Sequence, residues 1–174
     1  MSTWLANKRP DIDFQCPTLT PYANDTAVTL ERLVRSAANR AVCLVGSSLG
    51  GFWATYLTEK YQLPAVLINP AVDIENLMPN FIGVDLKNYY SEQHYRFSKE
   101  DVQQLMLYDR PVIRNPGYYW LLVQQGDEVL DYRLAVAKYA GAKQTIEANG
   151  SHSFEHFERY IPSIVSFFEQ PGFY

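Results

Sequence analysis

Cysteine and histidine are scarce in this chain, and their scarcity excludes much chemistry. Among 174 residues there are two cysteines, Cys16 and Cys43, and three histidines, His94, His152 and His156. No cluster of them has metal-ligand spacing, so no metal site is expected. Both cysteines fall in apparent strands and read as buried free thiols rather than a disulfide framework. The N-terminus, MSTWLANKRP, lacks the apolar stretch of a signal peptide, so the cytoplasm is the expected compartment. Long apolar runs are also missing, which excludes a membrane-spanning helix. Positive charge is not in excess. The net charge is -4 and the isoelectric point near 5.3, which argues against nucleic acid as a main partner. No repeat, low-complexity tract or second domain is visible, and 1–174 is expected to form one domain.

Hydrophobic residues make up 47% and charged residues 20%, enough to build an ordinary globular core. Aromatic residues are plentiful. A group of them in one insertion either lines a pocket or buries that insertion against the body.

The chain is organised around Ala41-Val42-Cys43-Leu44-Val45-Gly46-Ser47-Ser48-Leu49-Gly50-Gly51. A short apolar run, 41–45, meets a glycine-serine turn, and an amphipathic stretch follows at 52–61. The turn fits G-x-S-x-G with Ser48 at its centre. Between a strand and a helix this pattern is a nucleophile elbow, although the pentapeptide alone also occurs in ordinary loops. The turn holds its serine in a sparsely populated backbone conformation and needs small neighbours, here Gly46 and Gly50. Gly51 would let the next helix approach the sheet.

In chain order, 3–9 reads as a short helix stopped before Pro10, and 11–16 alternates weakly as a strand. Asn24 or Asp25 can cap a helix to about residue 38. Residues 65–68 form another buried-type strand, ending at Asn69-Pro70. A long insertion at about 71–116 follows and carries Phe81, Tyr89, Tyr90, Tyr95 and Phe97. Ser98 and Asp101 resemble a capping box opening a helix to about residue 108. This insertion is read as a lid over a cleft. Strands at 118–124 and 143–147 flank a helix at 132–140 that Asp131 would cap. A closing helix at 154–170 is interrupted near Pro162. Alternating helices and strands give an α/β fold with a mostly parallel sheet.

Ser48, Asp127 and His152 each follow a different strand, and a parallel sheet gathers such loops on one edge. Serine is a poor nucleophile until a base takes its proton, and a neutral His152 imidazole can do so. A carboxylate on Asp127 would fix the imidazole tautomer. The backbone amide of Leu49 would face a developing oxyanion. Rivals exist for each role. Asp131 is the other possible acid, though capping explains it, and Asp127 lies nearer its strand end. Ser47 does not occupy the central elbow position. His156 reads as a surface residue, and His94 has no partner visible in sequence.

These features resemble the small YqiA-like esterases of the α/β-hydrolase superfamily. The similarity runs through PDIDFQCPTLTPY (10–22), VGSSLGGFWATYL (45–57), LPAVLINPAV (63–72), QQGDEVLDYRLAVAKYA (124–140) and NGSHSFEHFERY (149–160). The resemblance implies a serine carboxylesterase acting on acyl esters or thioesters without a cofactor. It places the nucleophile at Ser48, the acid at Asp127 and the base at His152. One departure stands out. The family begins with a strand leading into an HGF-type loop, whereas here Met1-Ser2-Thr3 leads directly into Trp4-Leu5-Ala6, which matches the first helix. A gap is therefore expected beside the elbow strand, with one oxyanion donor missing. That gap favours an alternative reading, a non-catalytic or impaired binding protein of the same fold. Peptidase or thioesterase chemistry on the same triad is a third reading. Haloalkane dehalogenation would need aspartate at position 48.

Overall fold

Four short parallel strands carry the body of the protein. They are β1 (Leu44–Ser47), β2 (Ala65–Ile68), β5 (Tyr119–Gln124) and β6 (Lys143–Glu147), in the order β1-β2-β5-β6. The computed structural model describes residues 1–38, 40–87 and 94–173. Register is set by Leu44 opposite Ala65, Ala65 opposite Tyr119, and Trp120 opposite Lys143. All four strands point the same way, so the loops after them lie on one edge.

Helices cover both sheet faces. Ala65, Leu67, Leu121 and Val123 pack under α3 (Leu49–Tyr61) and α6 (Tyr132–Lys138), through Ala54, Ala135 and Tyr139. Val66, Ile68, Trp120 and Leu122 pack under α7 (Ile161–Phe168), through Ile164, Phe167 and Phe168. Burial on both sides explains why β2 and β5 read as unbroken apolar runs. Each fully buried leucine, such as Leu121, contributes about 2 kcal/mol of transfer free energy. Two further helices, α1 (Ser2–Lys8) and α2 (Ala23–Ser36), precede the sheet.

The 71–116 segment holds α4 (Ile74–Leu77), the short antiparallel pair β3 (Leu86–Lys87) and β4 (His94–Tyr95), and α5 (Lys99–Met106). Ser98 and Asp101 do form a reciprocal capping box at the start of α5. Ile74, Met78, Phe97, Val102 and Leu105 join Phe52, Trp53 and Tyr56 of α3 in one cluster. Phe97 is buried, and Phe81 and Tyr95 are packed against this cluster. Tyr89 and Tyr90 lie outside the described residues.

Several boundaries differ from the sequence reading. The 11–16 stretch is not a strand. A strand needs a neighbour, and among the described residues none pairs with this stretch; Asp11 pairs with Arg9, Asp13 pairs with Arg40, and Phe14 is exposed. Cys16 is accordingly exposed rather than buried, and Cys43 is half-buried just before β1. The elbow strand starts at Leu44, three residues later than its apolar run suggests. Its helix starts directly at Leu49. Neither Asn24 nor Asp25 caps α2, which begins at Ala23 after Tyr22. The closing α-helix begins only at Ile161, after a 3-10 turn at Phe157–Tyr160 rather than at residue 154, and Pro162 sits in its first turn, where its missing N–H costs nothing.

Among the described residues, β1 has a strand partner on one side only. The Leu44 N–H donates to Pro64 O at 2.9 Å and the Ser48 N–H to Ile68 O at 3.0 Å, both toward β2. By parallel alternation, the backbone groups of Val45 and Ser47 face the open edge. This is the side on which the family resemblance would put a further strand.

Candidate active site

The elbow is built by close backbone approach. A Cβ on Gly46 would stand 2.2 Å from the Gly50 carbonyl oxygen, and one on Gly51 would stand 2.5 Å from the Pro70 Cβ. Gly50 itself has open space, so the tight neighbours of the turn are Gly46 and Gly51 rather than Gly46 and Gly50. Ser48 sits at φ 53 and ψ -123, a conformation costing on the order of 1–3 kcal/mol that survives only when over-determined. It is fixed from both sides. Its N–H bonds Ile68 O, and its carbonyl accepts from Gly51 N at 2.9 Å and Ala71 N at 3.0 Å. Leu49 is the first residue of α3, so its N–H is one of the donors a helix cannot satisfy internally.

Three side chains meet above the strand ends. His152 Nε2 lies 3.0 Å from Ser48 Oγ. His152 Nδ1 lies 3.0 and 2.9 Å from the two Asp127 carboxylate oxygens. Asp127 Oδ1 also accepts the N–H groups of Val129 and Leu130, each at 2.9 Å, which locks the carboxylate plane. The Asp127 side chain is 2% exposed and that of His152 22%, so a buried carboxyl group faces a partly exposed imidazole.

The rival residues stand elsewhere. Asp131 caps α6 and pairs with Arg133 at 2.7 Å; that partner holds its carboxyl below the usual range. His94 pairs with Asp85 in the insertion, and His156 is exposed in a left-handed conformation. Ser47 is the last residue of β1.

Sequence reasoning passed over three polar residues next to these side chains. Glu128 accepts the His152 backbone N–H at 2.9 Å, and this bond lowers its pKa. Asn69, at φ 39 at the end of β2, and Gln124, at the end of β5, are both buried beneath the histidine loop. The available signal was a polar residue closing each of two otherwise apolar strands.

A parallel sheet clad by helices, with a serine elbow after one strand and acid and histidine loops after later ones, is the α/β-hydrolase fold. Three solved structures share it. One is a protein from Agrobacterium vitis S4 with a provisional hydrolase name, at 17% identity and TM-score 0.67 over 85% of this chain and 69% of that one. Another is Est1E from Butyrivibrio proteoclasticus, at 15% identity and TM-score 0.57 over 85% of this chain and 68% of that one. A third belongs to the metagenome-derived lipolytic enzymes LipS and LipT, at 14% identity and TM-score 0.61 over 87% and 78% of the two chains. Within this fold the chain belongs to the family described as Uncharacterised protein family UPF0227, which matches residues 1–169. That membership agrees with the YqiA-like resemblance. Among the described residues, no helix is long and apolar enough to cross a membrane.

Proposed function

We propose that this protein is a serine carboxylesterase that hydrolyses acyl esters, and thioesters by the same steps. The observation that carries the reading is the continuous Ser48–His152–Asp127 hydrogen-bond chain, with both links near 3 Å. His152 Nε2 takes the Ser48 proton as Oγ attacks the acyl carbonyl. The carbonyl π electrons move to oxygen, and the oxyanion faces the Leu49 N–H at the start of α3. Collapse expels the alcohol or thiol, which leaves with the proton from His152, and an acyl-Ser48 remains. His152 then deprotonates a water that attacks the acyl group. The second collapse frees the acid and returns the proton to Ser48 Oγ. Asp127 holds the Nδ1–H and stabilises the imidazolium formed in each half.

The 71–116 segment acts in this reading as a lid within a single domain. The packing of Ile74, Met78, Phe97, Val102 and Leu105 on Phe52, Trp53 and Tyr56 of the elbow helix supports that reading. The reaction needs no cofactor, and the cytoplasm is the proposed setting. One observation favours the second reading, a binding protein of the same fold: the open edge of β1, where a second oxyanion donor would be expected. The test is hydrolysis of a short aryl ester by the wild type and by Ser48→Ala. Turnover lost in the variant, with an unchanged thermal transition, supports the esterase. Unchanged turnover in Ser48→Ala refutes it, and a folded wild type with no turnover favours the binding protein.

A further inference from the structure

Two carboxamides lie beneath the loop that carries His152. Asn69 is 2% exposed and Gln124 is 3% exposed, and neither takes part in the steps above. Asn69 Nδ2 donates to the carbonyls of Ser151 and His152, both at 3.0 Å. Asn69 Oδ1 accepts the Gln124 N–H at 3.0 Å, and the Asn69 N–H donates to Leu122 O at 2.9 Å. Gln124 Oε1 in turn accepts the N–H groups of Ser151 at 3.1 Å and Glu155 at 2.8 Å. Its Nε2 donates to Glu147 at 2.8 Å and to Glu155 O at 3.1 Å. One carboxamide therefore joins the ends of β2 and β5 to the histidine loop, and the second ties that loop to β6.

We propose that Asn69 is a positioning residue for His152: its carboxamide, braced by Gln124, fixes the His152 backbone so that the imidazole spans Asp127 and Ser48. The proposal rests on the esterase reading of the same site. The His152 peptide is held from two sides, its N–H by Glu128 and its carbonyl by Asn69. With the backbone fixed, only two side-chain torsions remain, and Asp127 sets them. The position demands a neutral amide. It must donate twice and accept once at a buried site, which a carboxylate cannot do and an aliphatic side chain cannot begin to do. It must also sit at positive φ, which asparagine tolerates better than most residues. Truncation removes the Asn69 partner of the His152 carbonyl and of the Gln124 N–H and leaves Ser151 O only its bond from the Phe154 N–H, so the loop must shift to recover what is lost. A displacement of about 1 Å between nucleophile and base is worth roughly a hundredfold in rate.

The experiment uses the full chain and four readouts: kcat and KM for an aryl ester, the thermal midpoint, and the low-field proton resonance of a histidine Nδ1–H bonded to a carboxylate. Asn69→Ala is expected to lower kcat about a hundredfold with KM nearly unchanged, and to shift or erase that resonance. Ile164→Ala in α7 is the stability control, because Ile164 is fully buried and its aliphatic side chain holds none of the hydrogen bonds that fix the histidine loop. It is expected to lower the thermal midpoint comparably while keeping both kcat and the resonance. Retention of kcat and resonance in Asn69→Ala overturns the proposal, as does an equal loss of kcat in Ile164→Ala. Absence of the resonance in the wild type also overturns it. Should Asn69→Ala not fold, Asn69→Ser takes its place with the same criteria. A wild type that shows the resonance but no ester turnover refutes the esterase reading alone. The resonance then decides the positioning role: its loss in the variant supports the role, and its persistence overturns it.

Discussion

Replacing Asp127 with asparagine should disable the site while leaving its geometry in place. Oδ1 of Asp127 accepts two backbone N–H groups, from Val129 and Leu130, and also faces His152. In Asp127→Asn the amide oxygen must keep the two backbone donors, since an NH2 there would face two N–H groups. The NH2 then takes the place of Oδ2, which stands 2.9 Å from His152 Nδ1. A donor at that point forces Nδ1 to be the acceptor, so the proton moves to Nε2. Nε2 lies 3.0 Å from Ser48 Oγ and can no longer take its proton. Inverting the tautomer in such a triad costs about ten-thousandfold in kcat, or about 5.5 kcal/mol. Asp131→Asn removes an exposed ion pair with Arg133 and weakens one cap. It should change kcat by no more than about twofold and stability by about 1 kcal/mol. The assay is aryl-ester turnover for both variants, with circular dichroism to show that both fold. A larger loss in Asp131→Asn, or a loss of less than about tenfold in Asp127→Asn, would refute the tautomer argument.

Gly46→Ala drives a Cβ into the backbone of Gly50 at 2.2 Å, so it should cost about 3 kcal/mol or more and be read as a large drop in the thermal midpoint. Gly50→Ala meets no atom within 4 Å and lies in α3, so it should leave the midpoint unchanged or raise it. Glu31 ties α2 to α3. Burial alone would raise its pKa, but hydrogen bonds from Lys60, Tyr56 and Tyr61 hold it at about 2 instead of 4.5. A depressed carboxylate stabilises above its unfolded value, and that contribution disappears as pH falls from 4.5 toward 2. Urea unfolding should therefore show Glu31→Gln less stable by about 1–2 kcal/mol at neutral pH, with the difference vanishing near pH 2.

The parts of this molecule legible in sequence are those fixed by local chemistry. The runs at β2 and β5 are apolar on both faces, so they read as buried strands at nearly their true bounds. Ser98 and Asp101 carry their cap in their own side chains, and the box was readable. The meeting of Ser48, His152 and Asp127 was readable because each follows a strand, and parallel strands deliver their loops to one edge. What failed depended on neighbours. The alternation of Ile12, Phe14 and Cys16 needs a partner strand, and among the described residues none lies beside it, so the stretch stays turn and loop. The apolar run at 41–45 did not mark where β1 begins, because pairing with Ala65 sets the start at Leu44. Asn69 and Gln124 show in the sequence only as polar residues closing two apolar strands. Their role shows only when three strand ends converge, which no spacing along the chain reveals.

The central claim is that Ser48 is an activated nucleophile in this chain, open β1 edge included. Reaction with a fluorophosphonate, read by intact mass, tests it directly. The expected result is one adduct on the wild type, none on Ser48→Ala, and slow formation on His152→Ala. A cooperatively folded wild type that forms no adduct, or an adduct that persists in Ser48→Ala, would contradict the claim.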